Sequence, residues 1–246
     1  ATHEAASSQS MSAPTGASRA PRIGCAGLPL GLFPARYFAR LSFLESDKLF
    51  LDPPKPSRLV RWRSEIPENA RVSALAWQVV AQERFVRLKT RFSPEELAGL
   101  GMLRPSAAVR DAWERTVAAS LAMGAEVIVL ETPPAFTPSL PNRAALRCFV
   151  AEVVRAQKTP MAPPIVAWEP RGMWEPAALV HLAQELDLVP VWDPLPLEEP
   201  PPTCERVYFR VRGLGGFRGS LDERHMDRLA ELVAGHTDCW VVFANA

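Results

Sequence analysis

The sequence predicts a single α/β domain of the TIM type, a closed (β/α)8 barrel. Three observations support this. Eight short apolar runs are spread over residues 22–245, and most are followed by an amphipathic stretch of helical spacing. The runs lack apolar–polar alternation, as expected of parallel strands covered on both faces. Polar and charged residues gather at one end of the runs, where the loops of such a barrel converge.

In order, "RIGCAG" (22–27) reads as the first strand and "ARYFARLSFLES" (35–46) as a helix, with Tyr37, Phe38, Leu41 and Leu44 on one stripe. "KLFLDPP" (48–54) reads as the second strand, stopped by prolines, and "SRLVRWRSEI" (57–66) as a short helix with Leu59, Val60 and Trp62 inward. "RVSALAW" (71–77) is the third strand. "SPEEL" (93–97) opens a helix with Ser93 as its cap and Pro94 at the first position. The best helix is "SAAVRDAWERTVAASLAMG" (106–124), with Val109, Trp113, Val117 and Leu121 down one face. Strand "EVIVLETPP" (126–134) follows, then helix 142–157, strand "PIVAWEP" (164–170) and helix 175–187. Strand "LVPVWDP" (188–194), a Pro-rich loop, strand "RVYFRVRG" (206–213), helix 222–235 and strand "DCWVVFAN" (238–245) complete the pattern.

The runner-up architecture, a doubly wound sheet, usually carries a glycine-rich phosphate loop after its first strand. "GCAGLPLG" (24–31) lacks the G-x-G-x-x-G spacing. The chain ends at Ala246, directly after the eighth strand, so the expected barrel lacks its last outer helix. Residues 1–20, rich in Ala, Ser and Pro and without a hydrophobic signal core, read as a disordered tail before a single domain at 21–246.

Of the 246 residues 48% are hydrophobic and 22% charged, enough for a large core. The net charge of +1 argues against general affinity for nucleic acid. No run reaches the ~18 apolar residues of a membrane span. Cys25, Cys148, Cys204 and Cys239 form no CxxC pair, which points to reduced thiols and a cytoplasmic protein.

The strand ends supply the candidate site. They carry Asp52, Glu131, Trp168, Glu169, Arg171, Trp192, Asp193, Arg210, Arg212 and Asn245. Glu131, Glu169 and Asp193 are the candidate proton-transfer groups. Arg171, Arg210 and Arg212 suit bidentate capture of an anion, with Asn245, Trp168 and Trp192 lining the site. The three carboxylates also allow a divalent metal, magnesium or manganese rather than zinc, although none is clearly implied. The bland readings are a rim ion pair for Glu169 and Arg171 and core positions for the two tryptophans.

The blocks "VAWEPRGMW", "VPVWDP", "VYFRVRGLGG" and "CWVVFAN", with "IGCAG" and "FLESDKLFLDPPKPSRLVRW" before them, resemble in order the YecE-like proteins of the domain of unknown function 72 (DUF72) family. That family opens with a glycine-rich strand and a "vE…tFY…p…..W" pattern, and the resemblance implies a TIM-type barrel without implying a reaction. Glu169 and Arg171 match its E-x-R strand, Asp193 its sixth-strand aspartate and Asn245 the last asparagine of its "FNN". Leu75 stands where the family has a lysine, Glu131 where it has a glutamine and Arg212 where it has a histidine. The resemblance therefore implies altered acid–base equipment. The leading expectation is a barrel that binds a small anionic or phosphorylated ligand, hydrolysis being one reaction open to it. The alternatives are a barrel without turnover that binds a protein partner or a second copy in the groove of the missing helix, and a nucleic-acid-processing protein.

Overall fold

Parallel strands have no edge to spare when each pairs on both sides, and eight of them here close on themselves in sequence order. The computed structural model describes residues 19–159, 161–197, 199, 202–212 and 221–244. The elements are β1 (Arg22–Ala26), α1 (Pro34–Phe38), β2 (Phe43–Ser46), α2 (Pro56–Ser64), β3 (Arg71–Leu75), α3 (Gln78–Ala81), α4 (Pro94–Gly99) and α5 (Ala107–Ala122). They continue with β4 (Ala125–Thr132), α6 (Leu140–Phe149) with a π-helical turn (Val150–Val154), β5 (Ile165–Pro170), α7 (Pro176–Glu185), β6 (Val189–Trp192), β7 (Arg206–Val211), α8 (Glu223–Ala234) and β8 (Asp238–Phe243). No helix among the described residues is long and apolar enough to cross a membrane.

Local chemistry sets the helix starts. Proline, with φ already fixed and no N–H to lose, opens α1, α2, α4 and α7 and stands second in α6. Ser93 and Glu96 form the reciprocal capping box at α4, and Ser106 caps α5 through the Val109 amide. Val109, Trp113 and Val117 of α5 are buried as its stripe requires. In α2 Leu59 is buried, whereas Val60 points outward and is 57% exposed.

Strand alternation divides the core into two layers. One set of positions, Phe43, Val127, Val129, Ala167, Tyr208 and Trp240 among them, packs inside the barrel. The alternate positions, such as Ile128, Trp168, Trp192 and Phe209, pack outward against the helices. At the N-terminal end of the barrel Arg22 pairs with Glu126 at 2.8 Å and with Asp238, and its guanidinium lies 4.6 Å from the Trp240 ring.

The second strand departs from the sequence reading. The helix beginning at Pro34 stops at Phe38, and the strand is "FLES" (43–46), not 48–54. All four of its residues are buried, Phe43 and Glu45 inward and Leu44 and Ser46 outward, so it shows no period a sequence reading could use. The 48–54 segment is the loop that follows. Its Leu49 packs beneath α2, and its Asp52 accepts hydrogen bonds from the Thr90 amide and hydroxyl, both at 2.8 Å. Asp52 thus pins a loop.

Tyr37 compensates for the brevity of α1. Its hydroxyl accepts from the Cys25 amide at 2.7 Å and donates to the Phe43 carbonyl at 2.7 Å, which staples β1 to β2. Gly24 permits this approach, since a Cβ there would lie 2.1 Å from the Phe43 carbonyl oxygen. Beside α8, where no helix follows β8 among the described residues, a groove of about 340 Å³ runs over Ile23, Met226, Leu229, Val233, Val241 and Phe243.

Tyr37→Phe leaves a buried amide and a buried carbonyl without their shared partner. The expected loss is about 1–3 kcal/mol, read from the urea midpoint at unchanged m-value.

Candidate functional site

The inward positions at the C-terminal ends of the strands are Glu45 on β2, Glu131 on β4, Glu169 on β5 and Arg210 on β7, with Arg171, Asp193 and Arg212 just beyond β5, β6 and β7. Glu131 and Glu169 are directly paired across adjacent strands. Like charges so placed repel unless a cation stands between them. Arg210 is that cation, and it is 7% exposed. Its Nη1 donates to Glu131 Oε2 at 3.1 Å and to Glu169 Oε2, and its Nη2 lies 2.9 Å from Glu45 Oε1. Arg212 Nη2 donates to the other oxygen of Glu169. Below, Tyr208 donates to Glu45 Oε2 at 2.8 Å and shares a 2.8 Å hydrogen bond with Ser73.

One guanidinium thus serves two glutamates whose acidities move in opposite directions. Burial alone would raise Glu169, but Arg210 and Arg212 together outweigh it and hold the carboxyl below the ordinary range. Burial also raises Glu45, and there Arg210 and the Tyr208 hydroxyl do not overcome it. Arg210 itself is held firmly charged, its burial outweighed by Glu45, Glu169 and Glu131. Burial raises Asp193 as well, against hydrogen bonds from the Arg212 amide at 2.9 Å and the Leu195 amide at 3.2 Å.

Beside this network is a pocket of about 300 Å³. Glu169, Arg171, Asp193 and Arg212 form a charged wall, and Trp174, Leu179, Trp192 and Leu197 are among its apolar residues. The 171–174 loop carrying Arg171 and Trp174 is drawn against the loop after β4, with the Arg171 amide bonded to the Thr132 carbonyl at 2.9 Å. Gly172 allows the contact, because a Cβ there would stand 2.8 Å from the Phe136 carbonyl oxygen. Among the described residues Arg171 makes no close pair. Its Nη1 is 3.9 Å from Glu169 and 4.0 Å from Glu131, and its side chain is 40% exposed.

The structure brings Glu131, Glu169, Asp193, Arg171, Arg210 and Arg212 together as the strand-end reading requires. Trp168 is not with them. Glu169 points inward, so its neighbour points outward, and Trp168 is wholly buried among the helices with its Nε1 on the Thr132 hydroxyl at 3.2 Å. Trp192 follows the same alternation. It packs outward against Phe209 and His236, and meets the pocket only as part of its wall. Asn245 lies outside the described residues. Among the described residues no group of three or more acidic, His or Cys side chains is placed to hold a metal. Both oxygens of Glu169 and Oε2 of Glu131 are engaged by arginine. Sequence reasoning missed Glu45, Tyr208, Ser73 and Trp174. The family pattern "vE…tFY" did hold a signal for Glu45, since its acid falls there.

No family model matches the chain, and no curated protein does. Solved structures share its fold. A DUF72 family protein from Enterococcus faecalis aligns over 92% of this chain and 89% of its own at 14% identity, with a TM-score of 0.65. One from Thermotoga maritima aligns over 93% of each chain at 16% identity, with a TM-score of 0.62. An L-ribulose 3-epimerase aligns over 92% of this chain and 82% of its own at 14% identity, with a TM-score of 0.52. The barrel expected from the sequence blocks is the barrel found, and it is the fold of solved proteins of the family those blocks resemble.

Arg210→Met removes the cation from among three carboxylates. The expected destabilisation is about 3–5 kcal/mol, the usual cost of breaking a buried pair, measured by urea unfolding. The pH dependence has two limbs. Glu169, lowered in the fold, contributes stability that is present above the ordinary glutamate pKa of about 4.3 and is lost as pH falls through its folded value. Glu45, raised in the fold, contributes stability that is present below that ordinary value and is lost as pH rises through its folded value. Urea midpoints across pH should therefore lose their acid-side slope in Glu169→Gln and the decline above the ordinary value in Glu45→Gln.

Proposed function

We propose that the chain is a divergent DUF72 member, cytoplasmic, whose barrel mouth binds a small anionic ligand, its phosphate or carboxylate seated on Arg171 with Arg212 beside it. The observation that carries this reading is Arg171: a guanidinium that lines the pocket, is 40% exposed and, among the described residues, stands 3.9 and 4.0 Å from its nearest carboxylates, beyond a hydrogen bond. Arg210, by contrast, is committed to glutamates and serves as a brace. The sequence blocks shared with DUF72 proteins and the common fold support the family reading.

Among the mouth's acids Asp193 suits proton transfer best. Its carboxyl lines the pocket, and burial raises it above the ordinary aspartate value. Glu169 is held ionised by two arginines and suits electrostatic support. Hydrolysis through this mouth would have Asp193 take a proton from water as the water oxygen bonds to the scissile centre, and return it to the oxygen that departs, while Arg171 holds the anionic group. The scaffold alternative is favoured by one observation, the apolar groove beside α8. The nucleic-acid reading draws no support from the mouth, where two of the three arginines are engaged by Glu169.

A thermal-shift titration with inorganic phosphate and small phosphorylated metabolites tests the proposal. A ligand at 100 times its Kd should stabilise the wild type by about 2.7 kcal/mol. Arg171→Ala, whose removed contacts are long, should fold with near wild-type stability and lose that response. An undiminished response in Arg171→Ala, or none in the wild type, would sink the reading.

A further inference from the structure

We infer that the ligand of this mouth is an amphipathic acid: an anionic head joined to a flat apolar body, rather than a bare phosphate or a polyol phosphate. The inference rests on the anion-binding reading and adds to it the chemistry of the apolar wall. The pocket combines two kinds of lining. Glu169 and Asp193, with Arg171 and Arg212, make part of it charged. Trp174, Leu179 and Leu197, together with outward-facing Trp192, make part of it apolar. A hydroxyl-bearing body seated on the apolar part would exchange water for a lining in which the Trp174 indole is already engaged and the unpartnered donor is the buried Nε1 of Trp192. An apolar body would instead release water from both surfaces.

The apolar wall is held in place before any ligand arrives. Trp174 donates its Nε1 to the Phe136 carbonyl at 2.7 Å, meets Trp168 edge to face at 4.9 Å and has the Arg143 guanidinium 4.9 Å from its ring. Leu179 is fixed on α7 and is 4% exposed. The Leu197 carbonyl accepts from Arg228 at 3.0 Å, and two residues earlier the Leu195 amide is bonded to Asp193. The same aspartate therefore belongs to the charged lining and ties down a loop that carries part of the apolar one. A wall ordered in advance loses little freedom when a ligand docks, so its contact surface goes into affinity. A volume of about 300 Å³ holds one ring with its acid group, at the small end of ligand pockets.

Calorimetric titration of three probes tests this: inorganic phosphate, phenyl phosphate and benzyl alcohol, each against the wild type, Arg171→Ala and Leu197→Asn. Phenyl phosphate should bind the wild type at least ~10-fold more tightly than inorganic phosphate, about 1.4 kcal/mol, with the more negative heat-capacity change of apolar burial. Leu197→Asn should shrink that preference and leave inorganic phosphate unaffected, while Arg171→Ala should weaken both anions. Equal affinity for the two anions would overturn the apolar half and leave the anion site standing. Benzyl alcohol binding as tightly as phenyl phosphate, unaltered by Arg171→Ala, would overturn the anion site itself. Binding of none of the three would overturn both.

Discussion

Arg210 is the group on which the mouth of this barrel depends. Three glutamates from β2, β4 and β5 face one interior, two of them in direct register, and little solvent reaches Glu45 and Glu169 to screen their charges. A single guanidinium from β7 meets all three. Such a cluster is no source of surplus stability, since removing that many charges from water costs roughly what their attraction returns. What it does give is geometry. A planar cation bound to three strands fixes their spacing across the barrel, and Tyr208 with Ser73 fixes the lowest of the three acids from below. The positions of Arg171, Asp193 and Arg212 follow from that frame.

The architecture was readable because buried parallel strands advertise themselves as uninterrupted apolar runs, and because the helices carry their own start signals in Pro94, Ser93 and Ser106. β2 was not readable, for a definite reason. Four buried residues, one of them a glutamate, have neither the period of a strand nor that of a helix, and a glutamate is rarely buried without a partner. That partner is Arg210, far along the chain on β7. No local pattern near residue 45 could announce it, and only the family pattern placed an acid there.

The ring of strand-end charges was also readable, down to six of its members. The tryptophans show what was within reach and went unused. On a strand, neighbours face opposite ways, so an inward Glu169 places Trp168 outward, and an inward Asp193 does the same to Trp192. The aromatic that does reach the pocket is Trp174, beyond the strand. It is carried there by a turn that Gly172 permits, and the close backbone approach behind that turn becomes visible only once β4 and β5 are side by side.

The pairing of β1 with β8 has a consequence for how the molecule is made. Arg22 and Asp238, which meet where the barrel closes, are 216 positions apart. At about 5–20 residues per second on a ribosome, roughly 10–40 s pass between the synthesis of one and the other. Throughout that interval the nascent sheet has two bare edges, with β1 tied only to β2 and to the Tyr37 hydroxyl. Closure is a contact of nearly the greatest sequence separation the chain allows, the class that forms slowest. Until it forms, either edge can pair with a strand from another chain. The exposure of those edges is set by the separation of the closing contact along the chain, a quantity distinct from the stability of the finished barrel.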